Sequence, residues 1–122
     1  MAINPSQWAI ERRQYLRVKA AFQAELRRQD TGAVLRVETA DISSGGFYVE
    51  MMFTLEVGCQ LDVVLWLGSS KVSARAVVVT QHPHVGNGIK FLEIGQEDQQ
   101  HLASLLAISA THDGTISPEQ SL

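Results

Sequence analysis

The sequence predicts an all-β protein: a six-stranded antiparallel β-barrel with a C-terminal α-helix. Three observations carry this expectation. Between Arg17 and Ile94 apolar and polar residues alternate in short runs, the period of strands that bury one face. The runs are separated by glycine-, serine- and aspartate-rich turn signals. Near the C-terminus the period changes once, to that of a helix. Small all-β domains lose their exposed edges by closing into a barrel, and a helix can cover a mouth or a remaining edge. A two-sheet sandwich fits the same pattern and stays open at this stage.

The elements follow in order. In "RVKAAFQAELRR" the alternate residues Val18, Ala20, Phe22, Ala24 and Leu26 are apolar, which is the first strand. Asp30 and Gly32 mark a turn. "VLRVETAD" is the second strand and ends at "DISSGG", residues 41–46. "FYVEMMF" is the third. "LDVVLWL" is the fourth, with Leu61, Val63, Leu65 and Leu67 on one face. "KVSARAVVVTQH" is the fifth, with Val72, Ala74, Ala76 and Val78 inward. "PHVGNG" reads as a loop and "IKFLEI" as the sixth strand. Gln96, Glu97 and Asp98 suit a helix N-terminus, where negative charge is favoured. Leu102, Leu105 and Leu106 then form one apolar stripe. The expected organisation is an N-terminal arm (1–9), a barrel domain (10–107) and a disordered tail (108–122), whose composition is nearly without apolar residues.

The 122 residues suit one domain with one core. No apolar run approaches the roughly 20 residues that span a bilayer, and the N-terminal segment lacks the basic start and apolar stretch of a secretory signal. A cytoplasmic protein without membrane insertion is expected. The single Cys59 excludes an internal disulfide and reads as a small buried hydrophobe. Net charge is −3, unevenly spread. Residues 1–36 hold seven of the ten basic residues, and the rest of the chain is strongly acidic. That distribution does not suit a DNA-coating surface, which wants a broad positive face. It suits a small anionic ligand gripped locally.

Hairpin geometry says where. Antiparallel pairing around Asp30 and Thr31 joins residues whose numbers sum to about 61. Arg17 then faces the neighbourhood of Ser44, and Lys19 that of Ile42. The start of the first strand meets the end of the second, so "ERRQYLR" (11–17) lies beside "DISSGG". Arg12, Arg13 and Arg17 are brought to Asp41, Ser43, Ser44, Gly45 and Gly46. Arginine forks match phosphate oxygens or the O6 and N7 edge of guanine and stack on flat rings. A carboxylate accepts from the N1–H and N2 edge of guanine. Glycine lets backbone approach closely. The combination suits a ligand carrying phosphates and hydrogen-bonding rings. Against it stands the plainer reading, a solvated charge run beside an Asx-type turn.

The two motifs, Arg-x-x-x-Arg at Arg13 and Arg17 and Asp-x-Ser-x-x-Gly at Asp41, Ser43 and Gly46, occur in this order around the first hairpin, and "GNGIKFLEI" forms the last strand. With these the chain resembles the PilZ domain family, receptors for the bacterial second messenger cyclic di-GMP, over roughly residues 10–107. The resemblance implies a six-stranded barrel with ligand wrapped by the N-terminal loop. It implies that Arg13 and Arg17 bind guanine and phosphate, that Asp41 and Ser43 bind the other guanine, and that Gly46 leaves room; Gly45 beside it is counted with the expected ligand-binding residues. A basic residue at Arg12 can go with a stacked pair of ligands. No other cofactor is implied.

The expected function is therefore a cyclic di-GMP sensor and adaptor. The arm, crowded by like charges, is expected to order over the ligand, and an unidentified partner protein reads the new surface. The alternative is an interaction module of the same fold that binds no nucleotide. A single-strand-binding barrel is disfavoured by 7 % aromatic residues and the acidic balance. No catalytic motif is present. Ser43 and Ser44 have no histidine base nearby in the hairpin scheme, so no enzyme activity is expected. His82 and His84 lack a third metal ligand at a suggestive spacing. Trp66 reads as barrel packing. Trp8, in a helical turn capped by Ser6, and Tyr15 are candidates for touching ligand or partner. The oligomeric state is open.

Overall fold

A computed structural model describes residues 17–114, with side chains described as far as Ile108. The arm with Trp8, Arg12, Arg13 and Tyr15, and the tail from residue 115, lie outside the described residues. Seven strands and one helix follow in order: β1 (Val18–Lys19), β2 (Gln23–Arg28), β3 (Val34–Ser43), β4 (Gly46–Glu50), β5 (Gln60–Leu67), β6 (Ser70–His82), β7 (Gly86–Ile94) and α1 (Gln96–Gly114). Six of them close a barrel in the order β3-β2-β5-β6-β7-β4, with β4 returning to β3 and every pairing antiparallel. The strand pairing thus forms the barrel rather than the sandwich.

The extra strand arises because the expected first strand is broken. Ala20–Phe22 stand opposite only Thr39 and Ala40 of β3. The Thr39 hydroxyl fills the gap: it accepts from Phe22 N (2.9 Å) and donates to Ala20 O (2.6 Å). Backbone groups that a flat ladder would have paired are thus satisfied by one buried side chain. The register beyond the break is as expected, with Gln23 facing Glu38 and Leu26 facing Leu35. Before it, Lys19 faces Asp41 rather than Ile42, a slip of one residue.

The core is the inner face of the barrel. Leu61, Val63, Leu65 and Leu67 of β5 are all buried, as are Val72, Ala76 and Val78 of β6. One inner row crosses five strands, Val18, Ile42, Phe47, Ile89 and Val78, each buried and each paired with the next. Phe47 and Phe91 stack at 5.7 Å between ring centroids, tilted by 46°. Such offset aromatic contacts add to simple area burial. Cys59 is buried at the rim of this core, and burial pushes its thiol pKa up.

Three element boundaries differ from the sequence expectation. β4 ends at Glu50, so Met51–Phe53 leave the sheet, and Phe53 is 86 % exposed. "GNG" belongs to β7 rather than to a loop. Asn87 is buried there because its side-chain amide replaces missing backbone partners. It accepts from Leu55 N (2.8 Å) and donates to Leu55 O (2.8 Å) and Thr80 O (3.1 Å). The helix runs on past Ala107 to Gly114, into the segment expected as tail. Its buried residues are Leu102 and Leu106, with Leu105 packed on the core. It lies against β6 and touches β1. Asp98 in its first turn accepts from Ser73 N of β6 at 3.2 Å, tying helix to barrel.

Candidate ligand-binding site

The segment from Asp41 to Gly46 runs from the end of β3 into β4, and Ser43, Gly45 and Gly46 hold its turn together. Ser43 pairs with Gly46 across the turn. The Ser43 side chain is only 2 % exposed. Its hydroxyl accepts from Gly45 N (3.2 Å) and donates to Gly46 O (3.3 Å). The serine, not the aspartate, therefore makes the side-chain turn. The hydroxyl expected to meet a ligand is here used to hold the turn closed.

Asp41 is left free of that task. Its Oδ1 accepts from the Arg17 guanidinium. Arg17 reaches it because β1 pairs with β3 one residue further on, with Val18 facing Ile42. Of the expected site residues, the structure thus brings together Arg17, Asp41, Ser43, Gly45 and Gly46. Arg12 and Arg13 lie outside the described residues. The Arg17 side chain is 55 % exposed and that of Asp41 23 %. An exposed ion pair of this kind contributes at most about 1 kcal/mol.

Gly46 answers to the barrel as well as to any ligand. A Cβ on it would sit 2.0 Å from the Ile89 carbonyl oxygen and 3.0 Å from the Lys90 Cα. The bare glycine lets β7 press directly against the turn. Phe91 N donates to Gly45 O (2.9 Å) and fixes the turn from the same side.

The surroundings carry two cations that sequence reasoning did not assign. Lys19 is exposed and faces Asp41, and Lys90 is exposed and faces Gly46. Among the described residues neither has a carboxylate within ion-pair distance. Hairpin geometry had placed Lys19 near the turn. Lys90 depends on β4 pairing with β7, which no local pattern reveals. Beside the turn, the strand break opens a recess of about 840 Å³ lined by Lys19, Ala20, Gln23, Arg36, Glu38 and Glu50 among others. It adjoins the turn rather than containing it, and of the residues around the turn it takes in only Lys19.

The remaining candidates fall elsewhere. His82 shares a hydrogen bond of 3.1 Å with the Tyr48 hydroxyl. His84 sits at a positive φ in the β6–β7 turn. Among the described residues no group of three or more potential metal ligands is assembled. Trp66 is partly exposed on the outside of β5, opposite Gln23 and Lys71. No helix among the described residues is long and apolar enough to cross a membrane.

A family model described as the PilZ domain matches residues 11–107. The chain belongs to the PilZ domain family. The matched span includes Arg12, Arg13 and Arg17 and the whole Asp41–Gly46 turn. A search of the curated proteins finds no match. Among solved structures, this PilZ domain is similar to the inhibitor of motility from Bacillus subtilis (MotI/DgrA), with a TM-score of 0.70 and 21% identity over 82% of this chain and 52% of that one. It thus spans about half the length of that protein. It is also similar to the PilZ domain of YcgR from Escherichia coli, solved with c-di-GMP (TM-score 0.67, 16% identity, 82% of this chain and 92% of that one). PlzA of Borreliella burgdorferi, in complex with c-di-GMP, is a more distant likeness (TM-score 0.56, 13% identity, 87% and 50%). At these identities the likeness shows the fold.

Proposed function

We propose that this PilZ domain is a cytoplasmic cyclic di-GMP sensor and adaptor rather than an enzyme. Ligand binds between residues 12–17 and 41–46. The observation that supports the reading is the pairing of Arg17 with Asp41 at the edge of a turn clamped to β7, with both partners partly exposed. Arg17 and Asp41 are complementary to different parts of cyclic di-GMP: the guanidinium to phosphate or to the O6 and N7 edge of one guanine, the carboxylate to the N1–H and N2 edge of the other. A bidentate contact of that kind is worth about 1–3 kcal/mol. It therefore outweighs the exposed Arg17–Asp41 pair that it replaces.

Arg13, and Arg12 beside it, supply further forks from the arm. Ser43 holds the turn so that the Gly45–Gly46 backbone meets the ligand. Phosphates neutralise the arginines, the arm closes over the ligand, and a partner protein reads the composite surface. Two or three bidentate contacts with phosphate pairing reach about −8 kcal/mol, a micromolar dissociation constant.

Isothermal titration calorimetry with cyclic di-GMP, with GTP and cyclic di-AMP as controls, tests this. Saturable, guanine-selective heat supports it, and a ratio near one or near two ligands per chain defines the role of Arg12. No heat, with an unshifted melting temperature, overturns it in favour of an interaction module that binds no nucleotide.

A further inference from the structure

We propose that Lys90 is an additional anion-binding residue of the same site, closing it from the β7 side. The inference rests on the cyclic di-GMP reading above and adds a third element to it. Residues from the arm and from the β3–β4 turn were expected; a residue from the last strand was not.

Register places Lys90. It pairs with Gly46 on β4, while its neighbours Ile89 and Phe91 are buried in the barrel. Lys90 therefore points out on the face opposite the core, as period-two alternation requires. Gly46 contributes no side chain between them. The Lys90 Cα lies 3.0 Å from where a Gly46 Cβ would be, so the lysine stem starts against the turn itself. The Gly45 O to Phe91 N bond of 2.9 Å fixes the next residue, and the backbone on both sides of Lys90 is thus held. The cation is flexible at its tip and anchored at its root.

Charge gives the reason. Beyond residue 36 the chain is acidic and holds only Lys71, Arg75 and Lys90 as basic residues. Arg75 is paired with Glu93 at 3.1 Å. Lys71 stands on β6 opposite Trp66, away from the turn. Lys90 alone of the three is set beside the turn, and among the described residues it has no carboxylate partner. A lysine is a point charge on a four-carbon stem and suits a phosphate rather than a guanine edge. The ligand group we assign to it is therefore a phosphate oxygen of the cyclic dinucleotide.

The test uses the whole chain and four variants. Cyclic di-GMP is titrated into wild type, Lys90→Ala, Lys90→Arg, Lys71→Ala and Arg17→Ala. In parallel, lysines of the wild type are modified with an amine-reactive reagent, with and without ligand, and mapped by mass spectrometry. Lys90→Ala is expected to weaken binding about tenfold, with Lys90→Arg and Lys71→Ala close to wild type. Ligand is expected to protect Lys90 but not Lys71 from modification. If wild type binds, Arg17→Ala does not, and Lys90→Ala binds as wild type with Lys90 unprotected, the Lys90 assignment is overturned and the site reading stands. If wild type shows no binding, both are overturned.

Discussion

The two ends of the barrel treat charge differently. At the β2–β3 hairpin, Arg28 is saturated by the protein itself. Its Nε and Nη2 donate to both oxygens of Asp30 (3.0 and 2.9 Å), and Nη2 donates also to Glu56 (2.9 Å). The hydrogen bond from Arg28 holds the Asp30 carboxyl at a pKa of about 2, and the two carboxylates push the guanidinium further up. At the β3–β4 turn the balance is reversed. Arg17 has one carboxylate, Asp41, while Lys19 and Lys90 have none within reach among the described residues. Both ends carry arginines at or beside strand termini. Among the described residues the hairpin end sets Arg27 and Arg28 against Asp30, Glu56 and Asp62, with Asp62 facing Arg27 in register, whereas the turn sets Arg17, Lys19 and Lys90 against Asp41 alone, and an anionic ligand is what that surplus can use. A charged hairpin is therefore not evidence of a site until its counter-charges have been counted.

Substitutions at the two ends test this contrast. Asn87→Ala should have the largest effect on stability. It leaves Leu55 N, Leu55 O and Thr80 O without their partner at the hairpin end, a cost of about 3–5 kcal/mol in urea unfolding. Gly46→Ala is expected to cost about 2–4 kcal/mol, because the new methyl meets the backbone carbonyl of Ile89, and to lose ligand affinity with it. Arg17→Ala should leave the urea midpoint nearly unchanged, since its ion pair is exposed, and weaken ligand binding at least tenfold. Arg28→Ala, the matching change at the saturated end, should leave ligand affinity as it was. Equal losses from both arginines would erase the distinction between the ends.

The smallest effect is in acid. Asp30 has a folded pKa below its ordinary value of 3.8, so its contribution to stability is present above about pH 4 and is lost as pH falls toward 2. Asp30→Asn should flatten that part of the unfolding-against-pH profile without touching the site. An unchanged profile would contradict the pairing with Arg28.

What the sequence made legible was local. Alternation found the β5 and β6 faces, and hairpin register put Lys19 within one residue of its partner, because both depend on neighbours in the chain. What it hid depends on groups far apart. The break at Ala20–Phe22 keeps the apolar alternation intact and becomes visible only through the hydroxyl of Thr39. "GNG" carries loop residues, yet Asn87 is a core residue because its amide substitutes for backbone partners at Leu55 and Thr80. The motif glycine Gly46 looked like room for a ligand; its bare Cα is also what lets the Ile89 carbonyl approach. Lys90 came into view only with the β4–β7 pairing. The arginines of the arm remain sequence expectations.

The most direct measurement is a backbone amide NMR titration with cyclic di-GMP, comparing the two ends in one experiment. Saturable shifts are expected at Ser44, Gly45, Gly46 and Phe91, with Gly32 and Gly58 at the hairpin end unmoved. Shifts concentrated around Gly32 and Gly58, or none at the Asp41–Gly46 turn at saturating ligand, would contradict it.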